Sequence, residues 1–171
     1  MTHHDVMKVY PDGKLIWNGQ TYPCAIGKGG IVQDKKEGDG ATPVGRFPLK
    51  QVYYRPDRLK QPETILQTQA ISSTDGWCDD PEHVAYNKPI KLPFKASHEE
   101  LWRDDHIYDV IVVLGHNDNP PIPGKGSAIF FHIARNGFTG TEGCVAVALT
   151  DMLHILKSIQ GPIDMEIMPS S

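Results

Sequence analysis

Short apolar runs, each bounded by turn residues, constrain the fold of this chain more than any other feature. The 16 glycines and 14 prolines among 171 residues favour turns over long helices. Asn18-Gly19 separates two of the runs and predicts a β-hairpin, because both residues tolerate positive φ. The pattern predicts a mainly β fold with strands buried on one or both faces. The predicted strands are residues 6–10, 15–17, 22–26, 47–54, 108–114, 127–133, 144–148 and 164–168.

One segment near the C-terminus has helical periodicity instead. We predict that Thr150 or Asp151 caps its start and that Gly161-Pro162 ends it. This helix should pack against the sheet as a cover. The apolar residues at helical spacing are Leu149, Met152, Leu153, Leu156 and Ile159.

Residues 55–107 show no sustained periodicity, although they contain Trp77, Cys78, Trp102 and many charges. An irregular segment of this length is usually functional or contains elements that the pattern hides. The stretches at residues 77–80, 86–87 and 97–99 mix polar and aromatic side chains, as lid or groove residues do. Packing or a solvated loop is the interpretation we favour for each stretch taken alone.

Length and charge limit the classes of protein to which the chain can belong. A chain of 171 residues suits a single domain over residues 1–171. A net charge of -4 provides no basic surface on balance, so we expect no nucleic-acid partner. The longest aliphatic run, residues 110–114, is far shorter than a membrane span. The chain starts without an apolar export signal, which predicts a cytoplasmic protein, or a periplasmic one if a signal was removed.

The three cysteines, Cys24, Cys78 and Cys144, are odd in number and include no C-x-x-C pair. We therefore expect a reactive thiol rather than a disulfide framework. The spacing of the cysteines and histidines does not match a zinc motif, and the sequence predicts no metal site and no cofactor. We expect Cys24 to be a core residue.

The strongest chemical signal lies in residues 130–147. His132 ends one apolar strand, a glycine-rich loop follows, and Cys144 opens the next strand. If the two strands are neighbours, the imidazole can take the thiol proton, and the resulting thiolate can attack a carbonyl. Gly143 allows a tight turn, and the N–H groups of Gly143 and Cys144 are candidate oxyanion donors. The alternative interpretation is a buried structural cysteine beside a core histidine.

This string resembles the signature of the YkuD-type L,D-transpeptidase family, a strand-ending His, a short loop and then Ser-x-Gly-Cys-[Ile/Val]-Arg. The match here is His132 followed by Thr141-Glu142-Gly143-Cys144-Val145. Residues 39–47, DGATPVGRF, match the D-G-x-T-P-x-G-x-F turn and strand of the same family. Two motifs in the right order are more specific than either alone. The resemblance spans roughly residues 6–168 and is weakest in the middle segment.

The resemblance implies a fold, a mechanism and a substrate class. The fold is a β-sandwich of mixed sheets with a covering C-terminal helix. Cys144 is the nucleophile, His132 the general base and acid, and Thr141 stands in the family's serine position and shapes the loop. Family substrates are peptidoglycan stem peptides, cut between the third residue, a diamino acid, and D-Ala. The thioester acyl-enzyme then passes to an amine, which gives a cross-link, or to water.

One departure affects the substrate site, since Ala146 stands where the family has an arginine. Arg46 or Arg135 is a candidate to bind a substrate carboxylate in its place. Glu142 is a candidate to recognise the amine of the diamino acid, or else a solvated loop charge. His116 follows a strand that we expect beside the His132 strand. The candidate substrate-binding residues are therefore Glu142, Arg135, Arg46, His116 and Trp77.

These inferences together predict an L,D-carboxypeptidase that trims D-Ala from tetrapeptide stems during peptidoglycan recycling. A cytoplasmic enzyme would meet free muropeptides, for which water is the abundant acyl acceptor. The alternatives are an L,D-transpeptidase whose export signal was removed and, because of Ala146, an inactive module that binds peptidoglycan peptides. A metal-dependent hydrolase is a third alternative.

Overall fold

The computed structural model describes residues 5–170. The chain is mainly β, with 37% strand and 8% helix, as the spacing of the apolar runs predicted. The strands are β1 (Asp5–Tyr10), β2 (Lys14–Trp17), β3 (Gln20–Pro23), β4 (Ile31–Val32), β5 (Thr42–Pro43), β6 (Gly45–Tyr54), β7 (Thr68–Ala70), β8 (Asp75–Cys78), β9 (Pro89–Lys91), β10 (His98–Glu100), β11 (Val110–Leu114), β12 (Phe130–Ile133), β13 (Val145–Val147) and β14 (Ile163–Ile167). A 3₁₀ turn spans Asn136–Phe138, and the helix α1 spans Leu149–Ser158.

One large mixed sheet organises the molecule. Its strand order is β13-β12-β11-β6-β14-β1-β2-β3, and β7 pairs with β6 beside this path. The pairs β1/β14, β12/β13 and β6/β7 are parallel, whereas the remaining pairs of this sheet are antiparallel. A three-stranded sheet, β10-β8-β9, and a short pair, β4-β5, complete the strands.

Alternation along the central strands divides the core between the two faces of this sheet. Val112 of β11 and Phe131 of β12 share one apolar cluster with the buried side of α1. Their neighbours Ile111 and Phe130 point to the opposite face and share a second cluster with residues around β8 and β10. Trp77 of β8 packs edge-on against Phe130, with ring centroids 5.0 Å apart. The helix therefore covers one face and the small sheet covers the other, which confirms the predicted mixed-sheet β-sandwich with a C-terminal helix.

The helix α1 buries Met152, Ile155 and Leu156. The predicted cap at Thr150 or Asp151 is wrong, because Ala148 is the N-cap and provides no side-chain cap hydrogen bond. Thr150 and Asp151 lie in the first turn instead, where Asp151 interacts favourably with the helix dipole. The helix ends at Ser158, just before the predicted Gly161-Pro162 stop.

The Asn18-Gly19 hairpin is confirmed. Both residues have positive φ, 54° and 76°, and Trp17 pairs with Gln20 across the turn. The middle segment contains four strands, β7 to β10, of only three or four residues each. Strands this short show too few alternations for a period of 2 to be recognised.

Within residues 5–170, no helix is long and apolar enough to cross a membrane.

Substitutions on the buried and the exposed side of α1 test whether the packing of this helix stabilises the fold. Ile155→Ala should lower the free energy of unfolding by about 2–5 kcal/mol, because it leaves a cavity between the helix and the sheet. Lys157→Ala, on the exposed side of the same helix, should change it by less than about 0.5 kcal/mol. Urea unfolding followed by circular dichroism measures both, and equal effects of the two substitutions would contradict this packing.

Candidate active site

The parallel pairing of β12 with β13 brings His132 and Cys144 to one face of the large sheet. His132 lies opposite Ala146 in the register, and Cys144 precedes Ala146 by two residues. Side chains two residues apart on a strand share a face, so Cys144 is a diagonal neighbour of His132. Both are buried, at 3% and 5% exposure, and both line the same cavity. The strands that carry them are neighbours, as the sequence analysis expected.

Two contacts fix the orientation of the His132 ring. Its Nδ1 lies 3.0 Å from the carbonyl oxygen of Ile133, which can only accept, so Nδ1 carries the proton and Nε2 is the free acceptor. The Tyr108 ring packs edge-on against it at 5.3 Å between centroids. Burial lowers the pKa of His132 to about 4, with the Ile133 contact opposing the shift and the charges of Arg135 and Arg103 adding to it. The neutral ring is ready to act as a base.

The Cys144 thiol is held by backbone groups. Its Sγ donates to the Ala128 carbonyl at 3.2 Å and accepts the Phe130 N–H at 3.3 Å. Burial raises the pKa of the thiol to about 12, and the nearby Glu99 carboxylate raises it further. A neutral thiol beside a neutral imidazole is therefore the resting state, and proton transfer must accompany attack on a substrate.

The loop before Cys144 is shaped by Thr141. The Thr141 hydroxyl donates to the Cys144 carbonyl at 2.6 Å and accepts the Gly143 N–H at 3.1 Å. Gly143 has φ 127°, and a Cβ there would lie 2.8 Å from the Ala41 carbonyl oxygen, so a side chain does not fit. The Gly143 N–H is engaged in the resting structure, contrary to the expectation that it is an available oxyanion donor. The Cys144 N–H remains the candidate.

The second motif, at residues 39–47, supports the first. Thr42 is fully buried, and its hydroxyl accepts the Gly27 N–H at 2.8 Å and donates to the Gly143 carbonyl at 2.8 Å. Asp39 holds the preceding turn through the N–H groups of Lys36 and Ala41, both at 2.9 Å. The two motifs recognised in the sequence therefore meet at the cysteine loop, which explains why they occur together.

A cavity of about 310 Å³ opens onto the thiol and the imidazole. It contains three cationic side chains, Lys35, Arg103 and Arg135, and four carboxylates that line the same walls. A substrate that carries charges of both signs would suit such a lining. The lining residues are Lys35, Glu37, Gly38, Asp79, Glu99, Arg103, Ile107, Tyr108, Ser127, Ala128, His132, Arg135, Thr141, Glu142 and Cys144.

Two of the five predicted substrate-binding residues line this cavity. Arg135 follows β12 and is exposed. Glu142 lies at the rim, where Lys28 Nζ approaches its carboxylate to 2.7 Å with both side chains largely exposed. Each can reach a bound peptide. For Glu142, the alternative interpretation is a solvated loop charge that is paired with Lys28.

Arg46, His116 and Trp77 do not line this cavity, and their role in binding stays a prediction. Arg46 is exposed on β6, and its Nε lies 2.9 Å from Asp164. His116 follows β11 and packs edge-on against Phe47, with ring centroids 5.3 Å apart. Trp77 is buried, and its Nε1 donates to an asparagine side chain at 3.0 Å. The Trp77 ring packs against Phe130 of β12, the strand that also carries His132.

Several charged residues of the cavity were not assigned to the site from the sequence. Asp79 and Glu99 belong to stretches that we interpreted as packing or solvated loops, Arg103 follows in the same aperiodic segment, and the aromatic Tyr108 opens the predicted strand 108–114. The small sheet positions Glu99 on β10, and the Tyr108 hydroxyl donates to its Oε1 at 2.6 Å. The sequence feature that could have indicated these residues was the high density of charged side chains in the aperiodic segment 55–107. In the described part of the chain, no group of three or more His, Cys, Asp or Glu side chains could hold a metal ion.

The bridge through Thr42 can be tested by removing its hydroxyl. Thr42→Val keeps the shape but leaves the Gly27 N–H and the Gly143 carbonyl unpaired, at a cost of about 1–3 kcal/mol for each group. The cysteine loop should loosen, so Cys144 should also react faster with iodoacetamide at pH 8. Thr42→Ser restores the hydroxyl and should stay close to wild type. A Thr42→Val protein with unchanged stability and thiol reactivity would contradict this role.

The charge of Glu99 should control the reactivity of the thiol. Because that carboxylate raises the pKa of Cys144, Glu99→Gln should lower this pKa and increase alkylation of Cys144 severalfold at pH 8. In the wild type the rate should rise about tenfold per pH unit from pH 7 to 10 without a plateau, since the pKa lies above this range. Mass spectrometry of the modified peptide measures the rate at this cysteine alone.

Glu100→Gln is the matched control for that experiment. Glu100 follows Glu99 on β10 and is exposed, and it does not line the cavity. Its substitution should leave the alkylation rate unchanged. Equal effects at the two positions would mean that overall charge, rather than the Glu99 carboxylate, sets the reactivity.

Comparison with known proteins agrees with the motifs and the geometry. The model of the YkuD family, described as the L,D-transpeptidase catalytic domain, matches residues 1–163. No curated protein matches the chain. The match covers most of the sequence, including both motifs and every residue of the cavity. The chain belongs to the YkuD family of cysteine-dependent L,D-transpeptidase catalytic domains, whose activity is directed at peptidoglycan.

Proposed function

We propose that this protein is an L,D-carboxypeptidase that removes D-Ala from the tetrapeptide stems of peptidoglycan fragments through a thioester on Cys144. The observation that supports it most is the placement of His132 and Cys144 on one face of adjacent strands, inside one charged cavity. The scissile bond joins the diamino acid at the third position to D-Ala.

The reaction would proceed in two balanced steps. In the first, Cys144 Sγ bonds to the carbonyl carbon of the diamino acid while the thiol proton moves to His132 Nε2. The C–N bond then breaks, and His132 returns the proton to the departing nitrogen of D-Ala. In the second, His132 takes a proton from water, the hydroxide adds to the thioester, and the C–S bond breaks as Cys144 regains its proton. The Cys144 N–H would stabilise the oxyanion in both steps.

Water is the acyl acceptor in this proposal, and it can enter the cavity of about 310 Å³ that opens onto the thiol and the imidazole. We further propose that the enzyme works on free muropeptides in the cytoplasm, for which hydrolysis needs no polymeric partner.

The alanine at position 146 is compatible with catalysis. Ala146 is fully buried opposite His132. It exchanges two backbone hydrogen bonds with Ala25, at 2.8 and 3.0 Å. These bonds and the register hold the end of the sheet that carries Cys144. The departure from the family motif therefore leaves the nucleophile and base in place, which supports an active enzyme over an inactive binding module.

Incubation with a disaccharide tetrapeptide, followed by mass spectrometry, tests this proposal. We expect the loss of one alanine, and Cys144→Ala and His132→Gln should each reduce the rate at least about 10³-fold, since they remove the nucleophile or its base. Cys24→Ala is the matched control, because Cys24 is a buried thiol in the other core cluster. It should retain activity.

Two outcomes would contradict the proposal. A dimeric product formed with an added stem-peptide acceptor, in excess over the hydrolysed product, would identify a transpeptidase. Binding of the tetrapeptide without turnover by the wild type would identify a binding module.

A further inference from the structure

The Arg103 guanidinium is fixed at the wall of the cavity. Its Nε and Nη2 donate to the two carboxylate oxygens of Asp105, at 2.9 and 2.7 Å. The guanidinium lies 5.4 Å from the centroid of the Tyr108 ring. Among the hydrogen bonds formed within residues 5–170, none uses Arg103 Nη1. The planar guanidinium binds Asp105 through its Nε and Nη2 edge, so the N–H donors of Nη1 remain available to a ligand.

Tyr108 connects this edge to the base. The same ring that packs under Arg103 makes the edge-on contact with His132, at 5.3 Å between centroids. Arg103, Tyr108 and His132 all line the one cavity. Besides burial, the charges of Arg135 and Arg103 lower the pKa of His132, and the Asp105 carboxylate opposes them. Besides burial, the carboxylates of Glu99 and Glu142 raise the pKa of Cys144, and Lys35 opposes them. Positive charge is therefore in excess at the base and negative charge at the thiol.

The chemistry of the leaving group explains why cationic side chains beside His132 matter. His132 has to protonate the departing nitrogen, so the leaving group must lie against the imidazole. In a C-terminal amino acid, a single carbon separates that nitrogen from the carboxylate. The carboxylate must therefore lie within a few bonds of His132, where the cationic groups stand.

We propose that Arg103 binds the terminal carboxylate of the leaving amino acid through its Nη1 edge and so restricts the enzyme to peptides with a free C-terminus. This deepens the proposed function and rests on it. Arg135, exposed just beyond β12, adds a second positive charge. Lys35 is less suited to the task, because Asp39 and the Lys36 carbonyl already take two of the three donors of its ammonium, whereas Asp105 takes two of the five donors of Arg103.

Two peptides that differ only at the C-terminus test the assignment. One is the tetrapeptide stem with a free D-Ala carboxylate, and the other is its C-terminal carboxamide. The wild type should prefer the acid in kcat/KM by about 10- to 100-fold, as loss of a charged hydrogen bond predicts. Arg103→Gln should lose this preference by slowing cleavage of the acid much more than cleavage of the amide. Arg103→Lys, which keeps the charge without the fork, should retain part of the preference.

Lys157→Gln is the control for surface charge, since Lys157 lies on α1 at the opposite face of the sheet. It should leave the preference for the acid unchanged. Thermal melting of each variant checks folding. An Arg103→Gln enzyme that loses activity equally on both peptides would show a structural role and overturn the assignment, as would an unchanged preference.

Binding separates this inference from the proposed function. In the Cys144→Ala protein, calorimetry should show tighter binding of the acid than of the amide, and Arg103→Gln should abolish the difference. If the wild type cleaves neither peptide but binding shows this pattern, the carboxypeptidase proposal fails and the carboxylate site stands. If binding shows no preference, or neither peptide binds, the carboxylate site is overturned.

Discussion

The parallel pairing of β12 with β13 is the constraint on which the site depends. It places His132 opposite Ala146 and therefore sets Cys144 on the same face. A shift of one residue in this register would turn the thiol into the apolar core on the side of α1. The register is held from outside the pair, by the Ala25 bridge to Ala146 and by the Thr42 hydroxyl beneath Gly143.

Burial gives the site its chemical character. The same enclosure that lowers the pKa of His132 to about 4 raises that of Cys144 to about 12. Both groups rest in their neutral forms, so the thiol is protected from adventitious alkylation and oxidation. Reactivity then depends on a substrate whose carbonyl can accept the sulfur while the proton moves to the imidazole. The charged walls of the cavity would supply the binding energy that brings such a substrate into place.

The two faces of the large sheet have different tasks. The face under α1 is apolar and provides stability. On the other face, the small sheet leaves room beside its apolar contacts for Glu99, and the chain that follows it brings Arg103 and Tyr108 to the base. The segment that departs most from regular structure thus carries the groups that we expect to select the substrate. Such segments tolerate variation without loss of the core.

The sequence by itself determined the mainly β fold, the hairpin, the covering helix and the pair of strands that carry His132 and Cys144. These follow from local patterns, because alternation, turn residues and short motifs are written in consecutive positions. The tertiary structure alone decided that Arg103, Asp79 and Glu99 line the cavity and that Arg46, His116 and Trp77 do not. Strands of three residues carry no recognisable period, and the neighbours of a loop side chain depend on pairings between segments far apart in the chain. Ala148, the residue directly after β13, is the N-cap of the helix in place of Thr150 or Asp151.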